Sequence, residues 1–330
     1  MVRFGVIGTN WITDRFLESV KDLHDFELHA VFSRTTEKAE EFAEKYDINY
    51  TFTNYEEMAK SDVIDAVYIA SPNSLHKEHA IVFLNNGKHV LCEKPLASNV
   101  SETKEMIKAA TENNVLLMEA MRTTLHPNFK VIKENLYKLG TIRRYFASYC
   151  KYSSRYDAYK AGTILNAFNP NLSNGSLMDL GVYCIYPMVV LFGAPLSVKG
   201  TGVLLESGVD GGGSLIAQYE GMDAVIMHSK MNNSFLPSEI QGEEGSMIIH
   251  DNISSPDLVE IKYKDGSEET ISMDRDQPEM YYEAEEFIKL IQEGKTMSSI
   301  NSFENSLHTA EIMEDVRKQL GLIYTADLTK

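Results

Sequence analysis

The chain has 330 residues, more than the roughly 100 to 200 of one ordinary domain, which predicts two domains. Its apolar and charged fractions, 43% and 24%, are those of ordinary globular proteins and exclude a disordered, collagen-like or coiled-coil chain. A net charge of −17 repels a phosphate backbone and argues against nucleic acid as a partner, although a helix N-terminus with one or two cations can still bind a small anion.

The first third of the chain alternates short β-branched runs with segments of helical periodicity. The runs are RFGVIG, ELHAVFS, DAVYIA, HVLCE and VLLME, and the helical segments are TTEKAEEFAEKY, LHKEHAIVFLNNG and SETKEMIKAATENN. Ser101 is the predicted start of the last helix. Such alternation predicts parallel strands joined by right-handed crossover helices, as in a doubly wound sheet.

The turn after the first strand lies where a doubly wound sheet binds dinucleotide phosphates, at the N-terminus of a helix. The predicted cofactor loop consists of Gly8, Thr9, Asn10, Trp11 and Ile12. Of the fingerprint G-x-G-x-x-G/A only Gly8 is retained, because Asn10 and Thr13 occupy the other two positions. Asparagine adopts positive φ more readily than most residues, which makes Asn10 tolerable there. A tight turn without a ligand is the alternative.

The end of the second strand predicts which dinucleotide binds. In AVFSRTTEK the position that carries an acid in NAD-selective folds is Ser33, and Arg34 follows it. A guanidinium can bind a 2′-phosphate through two parallel hydrogen bonds, so the sequence favours NADP over NAD, with Thr35 and Lys38 as further contacts. The alternative is a solvated arginine at the start of a helix.

Two further strand ends carry polar residues, and ligands of a doubly wound sheet bind outside the carboxyl ends of its strands. In IASPNSLHKEHA, Ser71, Pro72 and Asn73 form the loop that is predicted to lie under the nicotinamide. LCEKP places Glu93 and Lys94 at the next strand end. The alternative for this pair is an exposed ion pair before a proline turn, which would contribute little stability.

After residue 120 the pattern changes to helical sequence and then to hairpins. HPNFKVIKENLYKLG is helical, whereas SEIQGEEGSMIIH, IKYKDGSEETISM and a reversal near residues 220 to 223 indicate a largely antiparallel sheet. Asp265 and Gly266 form a typical tight turn in the second of these hairpins. Helices are predicted at about 279 to 293 and 303 to 320.

The apolar segment GSLMDLGVYCIYPMVVLFG is predicted to be a buried helix with two polar residues. Asp179 and Tyr183 are four residues apart, so their side chains point the same way from a helix and can face one cleft.

Together these stretches resemble the Gfo/Idh/MocA family, named after glucose-fructose oxidoreductase, inositol dehydrogenase and MocA. The match runs nearly from end to end, through GVIGTNWIT, SRTTEKAEEFA, SPNSLH, CEKPLA, MEAMRTTLHP and NGSLMDLGVYCIYPM. The resemblance implies an NAD(P)-binding Rossmann domain at 1–121 and a substrate-binding and oligomerisation domain of the α+β class at 122–330. The second domain would contain a large, mostly antiparallel open sheet, through which a homodimer or homotetramer forms.

The resemblance also implies roles for single residues. Lys94 is then the signature lysine directed at the substrate hydroxyl or carbonyl beside nicotinamide C4, and Glu93 positions the cofactor side. His76, in one of the matched stretches, is interpreted as a surface or packing residue, and a place at the cofactor rim is the alternative. The peptide between Lys94 and Pro95 is often cis in relatives. Tyr183, where many relatives have histidine, resembles the branch that contains dihydrodiol dehydrogenase, xylose dehydrogenase and glucose-fructose oxidoreductase.

In the mechanism that follows, Tyr183 exchanges the proton. A phenol ionises too little at neutral pH to act as a base, but a neighbouring ammonium stabilises its ionised form. With Lys94 as that ammonium, Tyr183 takes the hydroxyl proton during oxidation and returns it during reduction, while Asp179 orients the substrate or the lysine. A buried, hydrogen-bonded tyrosine without a catalytic role is the alternative.

Other residues of the matched stretches carry weaker predictions. His126 is interpreted as a surface or packing residue. Relatives often have an arginine at the position of Thr124, whereas this chain has Arg122 two residues earlier, which leaves its role open. Contact with a polyhydroxylated substrate and a solvated cover are both open for three loop residues, Arg155, Tyr156 and Tyr159.

The sulfur-containing residues are interpreted as core residues. Met118 and Met121 are predicted to fill the core, and three widely spaced cysteines, without a zinc-binding pattern, are predicted to be reduced. These cysteines are Cys92, Cys150 and Cys184. Because MVRFGVIG is strand-like and 18 apolar residues nowhere stand in a row, we expect no membrane span and a cytoplasmic location.

The sequence therefore predicts an NADP-dependent oxidoreductase, with NAD as an open alternative and no required metal. Hydride would pass between nicotinamide C4 and a secondary alcohol or carbonyl of a sugar, polyol or cyclic diol. The rival hypothesis is a catalytically silent NAD(P)-binding sensor of the same fold, against which the joint presence of Lys94, Asp179 and Tyr183 argues. The substrate and the direction of the reaction are left open, because a few loop side chains decide them.

Overall fold

The structure, a computed structural model, describes residues 1–328. Its strands are β1 (Val2–Ile7), β2 (Phe26–Phe32), β3 (Tyr50–Phe52), β4 (Ala66–Ile69), β5 (His89–Glu93), β6 (Leu117–Ala120), β7 (Ile142–Cys150), β8 (Ser197–Leu204), β9 (Asp210–Gln218), β10 (Asp223–Ser229), β11 (Ser238–Gly242), β12 (Gly245–Ile249), β13 (Val259–Tyr263) and β14 (Glu268–Thr270). Its α-helices are α1 (Trp11–Val20), α2 (Thr36–Tyr46), α3 (Tyr55–Lys60), α4 (His76–Asn85), α5 (Val100–Asn113), α6 (Arg122–Leu125), α7 (Pro127–Asn135), α8 (Tyr156–Lys160), α9 (Val182–Phe192), α10 (Tyr281–Gln292) and α11 (Phe303–Leu320).

The first compact unit contains a six-stranded sheet in the order β3-β2-β1-β4-β5-β6, and all its pairings are parallel. The predicted doubly wound sheet is confirmed. Strand β4 (AVYI), in the middle of the sheet, is apolar along its whole length, because helices cover both faces of the sheet. The strand order reverses between β1 and β4, so the ends of these strands lie at the topological switch point.

The start of α5 differs from the prediction. Asn99 is the N-cap, and its side chain accepts a hydrogen bond from the amide of Glu102 at 2.9 Å. Ser101 lies in the first turn instead, with its hydroxyl 3.4 Å from the Glu105 carboxylate. Asparagine and serine are equally good caps, so composition alone did not select the correct one of two neighbouring candidates.

The second unit is built on an eight-stranded sheet in the order β14-β13-β12-β11-β7-β10-β9-β8. Its pairings are antiparallel except for β7 with β10, so the predicted large and mostly antiparallel sheet is confirmed. The turn at Asp265 and Gly266 joins β13 to β14, and Gly266 has a φ of +89°. Glycine adopts that conformation without steric cost.

The apolar segment before β8 packs on this sheet as a core element. It consists of a π-helical turn at Leu177–Gly181 followed by α9. The stretch Pro170–Phe192 is long and apolar enough to cross a membrane. An 18-residue window within it has a mean hydropathy of 1.6, but 72% of this window is buried inside the protein. Burial of this kind is typical of a core helix.

After the second sheet the chain returns to the first unit. Residues 277–306 cluster with residues 1–120, and residues 121–276 cluster with residues 307–328. Phe287 of α10 is fully buried, and its ring centroid lies 5.8 Å from that of Phe4 in β1. The predicted division into 1–121 and 122–330 assigns this segment to the second domain, so the structure differs from the prediction there. The change of pattern after residue 120 is visible in the sequence, whereas a later tertiary contact is not.

Candidate active site

The turn after β1 is fixed by side chains where the fingerprint has glycines. Gly8 has a φ of +102°, and a Cβ atom there would lie 2.7 Å from the carbonyl oxygen of Ala70. Asn10 caps α1: its side chain accepts from the amide of Ile12 at 2.9 Å and donates to the Ala70 oxygen at 2.8 Å. The buried hydroxyl of Thr13 donates to the carbonyl oxygen of Gly8 at 2.7 Å.

Asn10 plays a different role from the predicted one. Its φ is −110°, which is extended backbone, so the position does not require positive φ and the asparagine acts as a cap instead. Trp11 is 58% exposed, while Thr9 and Ile12 are half-buried. The predicted cofactor loop is therefore accessible from solvent at the N-terminus of α1.

The end of β2 presents a cation to solvent. Ser33 is buried, and its amide donates to the carbonyl oxygen of Phe52 at 3.1 Å. Arg34 is exposed, and within residues 1–328 its guanidinium takes part in no hydrogen bond or ion pair. Thr35 caps α2 by accepting from the amide of Lys38 at 3.4 Å. Arg34 is thus free to bind an anion near a helix N-terminus.

His76, the first residue of α4, is buried inside the protein. None of its surface is exposed; Nδ1 is 3.0 Å from the carbonyl oxygen of Pro95 and Nε2 is 2.9 Å from that of Ser71. Burial lowers the pKa of His76, and the Lys94 ammonium lowers it further. This burial agrees with the interpretation as a packing residue: His76 ties the loop after β4 to the loop after β5, and its place at the cofactor rim stays a prediction.

The two other predicted residues of this loop lie at the end of β4. Ser71 is half-buried, and its hydroxyl lies 3.0 Å from Nδ1 of His79. Burial lowers the pKa of His79 to about 4, so this histidine is neutral at physiological pH. Asn73 is half-buried and begins the 3₁₀ turn Asn73–Leu75 that leads into α4.

At the end of β5 the acid is anchored in the core and the lysine follows it. Glu93 is 8% exposed, and the hydroxyl of Tyr68 in β4 donates to its Oε1 at 2.6 Å. Glu93 is therefore not half of an exposed ion pair. Lys94 is half-buried, and its peptide bond to Pro95 is cis, as the resemblance predicted.

A second buried carboxyl, which the sequence analysis did not single out, belongs to Glu119 of β6. Its Oε1 accepts from the amide of Leu96 at 3.0 Å, and the hydroxyl of Ser306 also bonds to the carboxyl group. Burial raises the pKa of Glu119 to about 7, although the Lys94 ammonium acts in the opposite direction. An acid inside the apolar run VLLME was the signal that could have revealed it.

In the second unit Asp179 lies on the π-helical turn Leu177–Gly181 rather than on an α-helix. The backbone between Asp179 and Tyr183 is therefore not α-helical throughout, as their predicted alignment on one helix face requires. Asp210 holds the turn, because its Oδ2 accepts from the amide of Leu177 at 2.7 Å. Single π-helical turns are frequent at functional sites.

Asp179 pairs with a lysine that sequence analysis missed. Its Oδ2 lies 2.8 Å from Nζ of Lys230, which directly follows β10 and is 2% exposed. The prediction that Asp179 orients the substrate or Lys94 did not include this partner. A lysine directly after the apolar run AVIMHS was the available signal, but the rule for strand ends applies to parallel sheets, and this sheet is mostly antiparallel.

Tyr183 is the second residue of α9 and is half-buried. Its ring packs edge-on against that of Tyr149, with 5.7 Å between the centroids. The guanidinium carbon of Arg122 lies 5.2 Å from the centroid of the same ring. Arg122, whose role the sequence left open, is therefore a cation that packs on the ring of the predicted acid/base.

The remaining candidates make packing contacts, and a substrate contact of Arg155, Tyr156 or Tyr159, all half-buried, stays a prediction. His126 is 2% exposed and caps α7, because its Nδ1 accepts from the amide of Asn128 at 3.1 Å. Tyr156 and Tyr159 stack on each other at 5.9 Å and pack against Phe168. The methionines and cysteines predicted to be in the core are buried, except that Cys150 is half-buried; the buried ones are Met118, Met121, Cys92 and Cys184.

Two family profiles match this architecture. An oxidoreductase family with an NAD-binding Rossmann fold, Gfo/Idh/MocA, matches residues 2–121, and the Gfo/Idh/MocA C-terminal domain matches residues 137–248. The chain belongs to the Gfo/Idh/MocA family of oxidoreductases. The family resemblance and the fold class inferred from sequence motifs are thereby confirmed.

Several members of the family are similar to this chain over nearly their whole length. Scyllo-inositol 2-dehydrogenase (NADP(+)) IolU of Bacillus subtilis is 61% identical over 327 residues, 99% of each chain. Trans-1,2-dihydrobenzene-1,2-diol dehydrogenase of Xenopus tropicalis is 31% identical over 98% of this chain and 99% of its own. The crystal structure of KijD10, a 3-ketoreductase from Actinomadura kijaniata in complex with NADP and TDP-benzene, has a TM-score of 0.83 at 25% identity and covers 97% of this chain and 98% of that one.

Proposed function

We propose that this protein is an NADP-dependent dehydrogenase that oxidises a secondary hydroxyl of a cyclic polyol, or reduces the corresponding ketone. The observation that carries the proposal is the 61% identity, over 99% of both chains, with a scyllo-inositol 2-dehydrogenase that uses NADP(+). The similarity to a dihydrodiol dehydrogenase supports the same substrate class, since the substrates that name the two enzymes carry adjacent hydroxyl groups on a ring.

NADP fits the residues at the ends of β1 and β2. Gly8, with a φ of +102°, makes the tight turn that the first glycine of the fingerprint makes, and the N-terminus of α1 follows it. Arg34 would hold the 2′-phosphate, because its exposed guanidinium has no partner in the described chain and Ser33 replaces the acid of NAD-selective folds. When bound, the nicotinamide accepts or supplies the hydride.

The proton would be handled by Tyr183 and Lys94. We assign Tyr183 as the group that takes the proton of the substrate hydroxyl during oxidation and returns it during reduction. The ammonium of Lys94 would donate a hydrogen bond to the same substrate oxygen and stabilise the negative charge that develops on it. Asp179, whose side chain is 40% exposed, would accept a hydrogen bond from the substrate.

The test is a turnover assay with NADP and NAD on scyllo-inositol, myo-inositol, glucose, xylose and trans-1,2-cyclohexanediol. We expect turnover of a cyclic polyol with NADP. Lys94→Ala and Tyr183→Phe should each lower kcat/KM at least about 100-fold, since positioned proton transfer contributes that much. The matched controls are Lys104→Ala and Tyr137→Phe, which change exposed side chains and should leave kcat/KM unchanged.

Two results would contradict the proposal. Wild-type turnover that survives both Lys94→Ala and Tyr183→Phe would remove the assigned residues from the mechanism. Binding of NADPH without turnover of any compound would favour the catalytically silent sensor.

The choice of cofactor is tested by binding measurements on Arg34→Ala. This variant should raise the Kd for NADPH about tenfold or more and leave the Kd for NADH unchanged, because one charge-assisted contact is lost.

A further inference from the structure

Lys230 is a buried cation that the proposed mechanism does not use. Its ammonium lies 2.8 Å from Oδ2 of Asp179, 3.1 Å from the carbonyl oxygen of Ala167 and 3.4 Å from Oδ1 of Asn174. An ammonium has three N–H groups and no acceptor, so these three contacts use all of its hydrogen-bonding capacity. The ammonium is therefore held in one place.

The two members of the ion pair differ in exposure. The side chain of Lys230 is 3% exposed, whereas that of Asp179 is 40% exposed. A buried charge is costly unless an opposite charge neutralises it, so Lys230 fixes the inner side of the Asp179 carboxylate. The exposed part of the Asp179 side chain can accept a hydrogen bond from a ligand, with the Lys230 ammonium on its inner side.

The backbone that carries Asp179 is fixed as well. Asp210 is fully buried in β9 and accepts from the amide of Leu177 at 2.7 Å, at the start of the π-helical turn. His228, 1% exposed in β10, has its Nδ1 2.9 Å from the hydroxyl of Ser176. Buried groups therefore hold both parts of this segment. Asp210 and His228 bond to the residues just before Asp179, and Lys230 pairs with the Asp179 carboxylate.

We propose that Lys230 is a positioning residue that selects polyols, by holding the Asp179 carboxylate where it accepts a hydrogen bond from a substrate hydroxyl other than the one that is oxidised. The inference rests on the proposed function, in which Asp179 contacts the substrate. A fixed acceptor favours substrates that carry a second hydroxyl, because a substrate without one leaves the carboxylate desolvated and unmatched.

The competing role for Lys230 is a clamp on the loop that contains Ala167 and Asn174. A clamp would act on the loop regardless of the residue at position 179, whereas a positioning residue acts only through Asp179. A double-mutant cycle with Lys230→Met and Asp179→Asn separates the two roles. Lys230→Arg keeps the charge, and Lys262→Met in β13, which removes a half-exposed lysine paired with Glu268, is the control.

Steady-state kinetics are measured with the panel member that the wild-type enzyme turns over fastest. Lys230→Met should raise KM for the polyol about tenfold, with a change in kcat of less than about threefold, because a ground-state hydrogen bond to a charged group is weakened. Lys230→Arg should recover part of this loss. In the Asp179→Asn background, Lys230→Met should change KM by less than about twofold.

The inference is overturned if Lys230→Met changes KM by the same factor in both backgrounds, or if its KM equals that of the wild type. If Lys230→Met does not fold, the same cycle with Lys230→Arg decides, since equal factors in both backgrounds again identify a clamp. Failure of the proposed function is a separate result, because it is read from the wild type alone. For a polyol that binds without turnover, dissociation constants from isothermal titration calorimetry replace KM in the cycle.

Discussion

The charge of Glu119 is controlled by its burial. The carboxyl group lies on β6 with 3% of the residue exposed, and the charged or titratable groups that act on it are Lys94, Glu93 and the thiol of Cys92. Burial raises its pKa to about 7 from the ordinary 4.5, so the folded state binds the proton more tightly than the unfolded chain does. The corresponding stability is present below pH 4.5 and is lost as the pH rises through 7.

Glu119→Gln should therefore remove a pH dependence. Glutamine keeps the acceptor for the amide of Leu96 and does not ionise. Relative to the wild type, the free energy of unfolding of the variant should rise by about 2 to 3 kcal/mol between pH 5 and pH 8. Urea denaturation at several pH values measures it, with the exposed Glu44→Gln as the control. A difference between variant and wild type that stays constant with pH would contradict the assignment.

Two predicted site residues lie where the sequence placed them, at the ends of parallel strands, while their roles stay predictions. Lys94 and Arg34 follow β5 and β2, and the carboxyl ends of parallel strands meet at one edge of a sheet, so their location follows from strand order alone. Lys230 was missed and the role of Arg122 was left open, because their partners, Asp179 and Tyr183, come from distant segments of an antiparallel unit. Such contacts depend on tertiary packing, which residue spacing does not encode.

At the scale of elements, α5 shows what a capping residue contributes. Four amides at a helix N-terminus lack partners within the helix, and an N-cap side chain satisfies one of them. Asn99 does this for the amide of Glu102, whereas the Ser101 hydroxyl makes its contact with the Glu105 side chain. Asn99 and Ser101 therefore contribute differently to the stability of α5, although they lie only two positions apart.

Asn99→Ala should lower the free energy of unfolding by about 1 kcal/mol, the usual value of an N-cap. Ser101→Ala, the matched control in the first turn of α5, should change it by less than about 0.5 kcal/mol. Urea denaturation followed by circular dichroism measures both. Equal losses in the two variants would show that the cap lies elsewhere.

Elements were predictable where their hydrophobic period was long and regular. Five of the six strands of the first sheet and helices such as α2 and α5 were found because several residues repeat the same pattern. β3 was not found, since three residues do not define a period. The turn at Leu177–Gly181 was interpreted as α-helical, because its apolar sequence fits α and π geometry alike and the contacts of Asp210 select between them.

At the scale of the whole molecule, the first unit is completed by residues far along the chain. Phe287 of α10 is fully buried against Phe4 in β1, and the side chain of Asn301 donates to the carbonyl oxygen of Glu119 at 3.0 Å. The amphipathic helix at 279 to 293 was predictable from its period, but its partner was not. A dinucleotide-binding unit of residues 1–121 alone would lack these contacts.

Phe287→Ala in the full-length protein should therefore destabilise the first sheet. Loss of a buried phenylalanine typically costs about 3 to 5 kcal/mol. Native-state hydrogen exchange, read by mass spectrometry on peptides that cover β1, should show a lower opening free energy, because α10 and β1 share one core. Phe235→Ala is the matched control: this residue of the second unit is 95% exposed, and its replacement should leave exchange in β1 unchanged. If faster exchange in Phe287→Ala stayed within residues 277–306 while β1 kept its protection, the segment would be an appendage of the first unit and not part of its core.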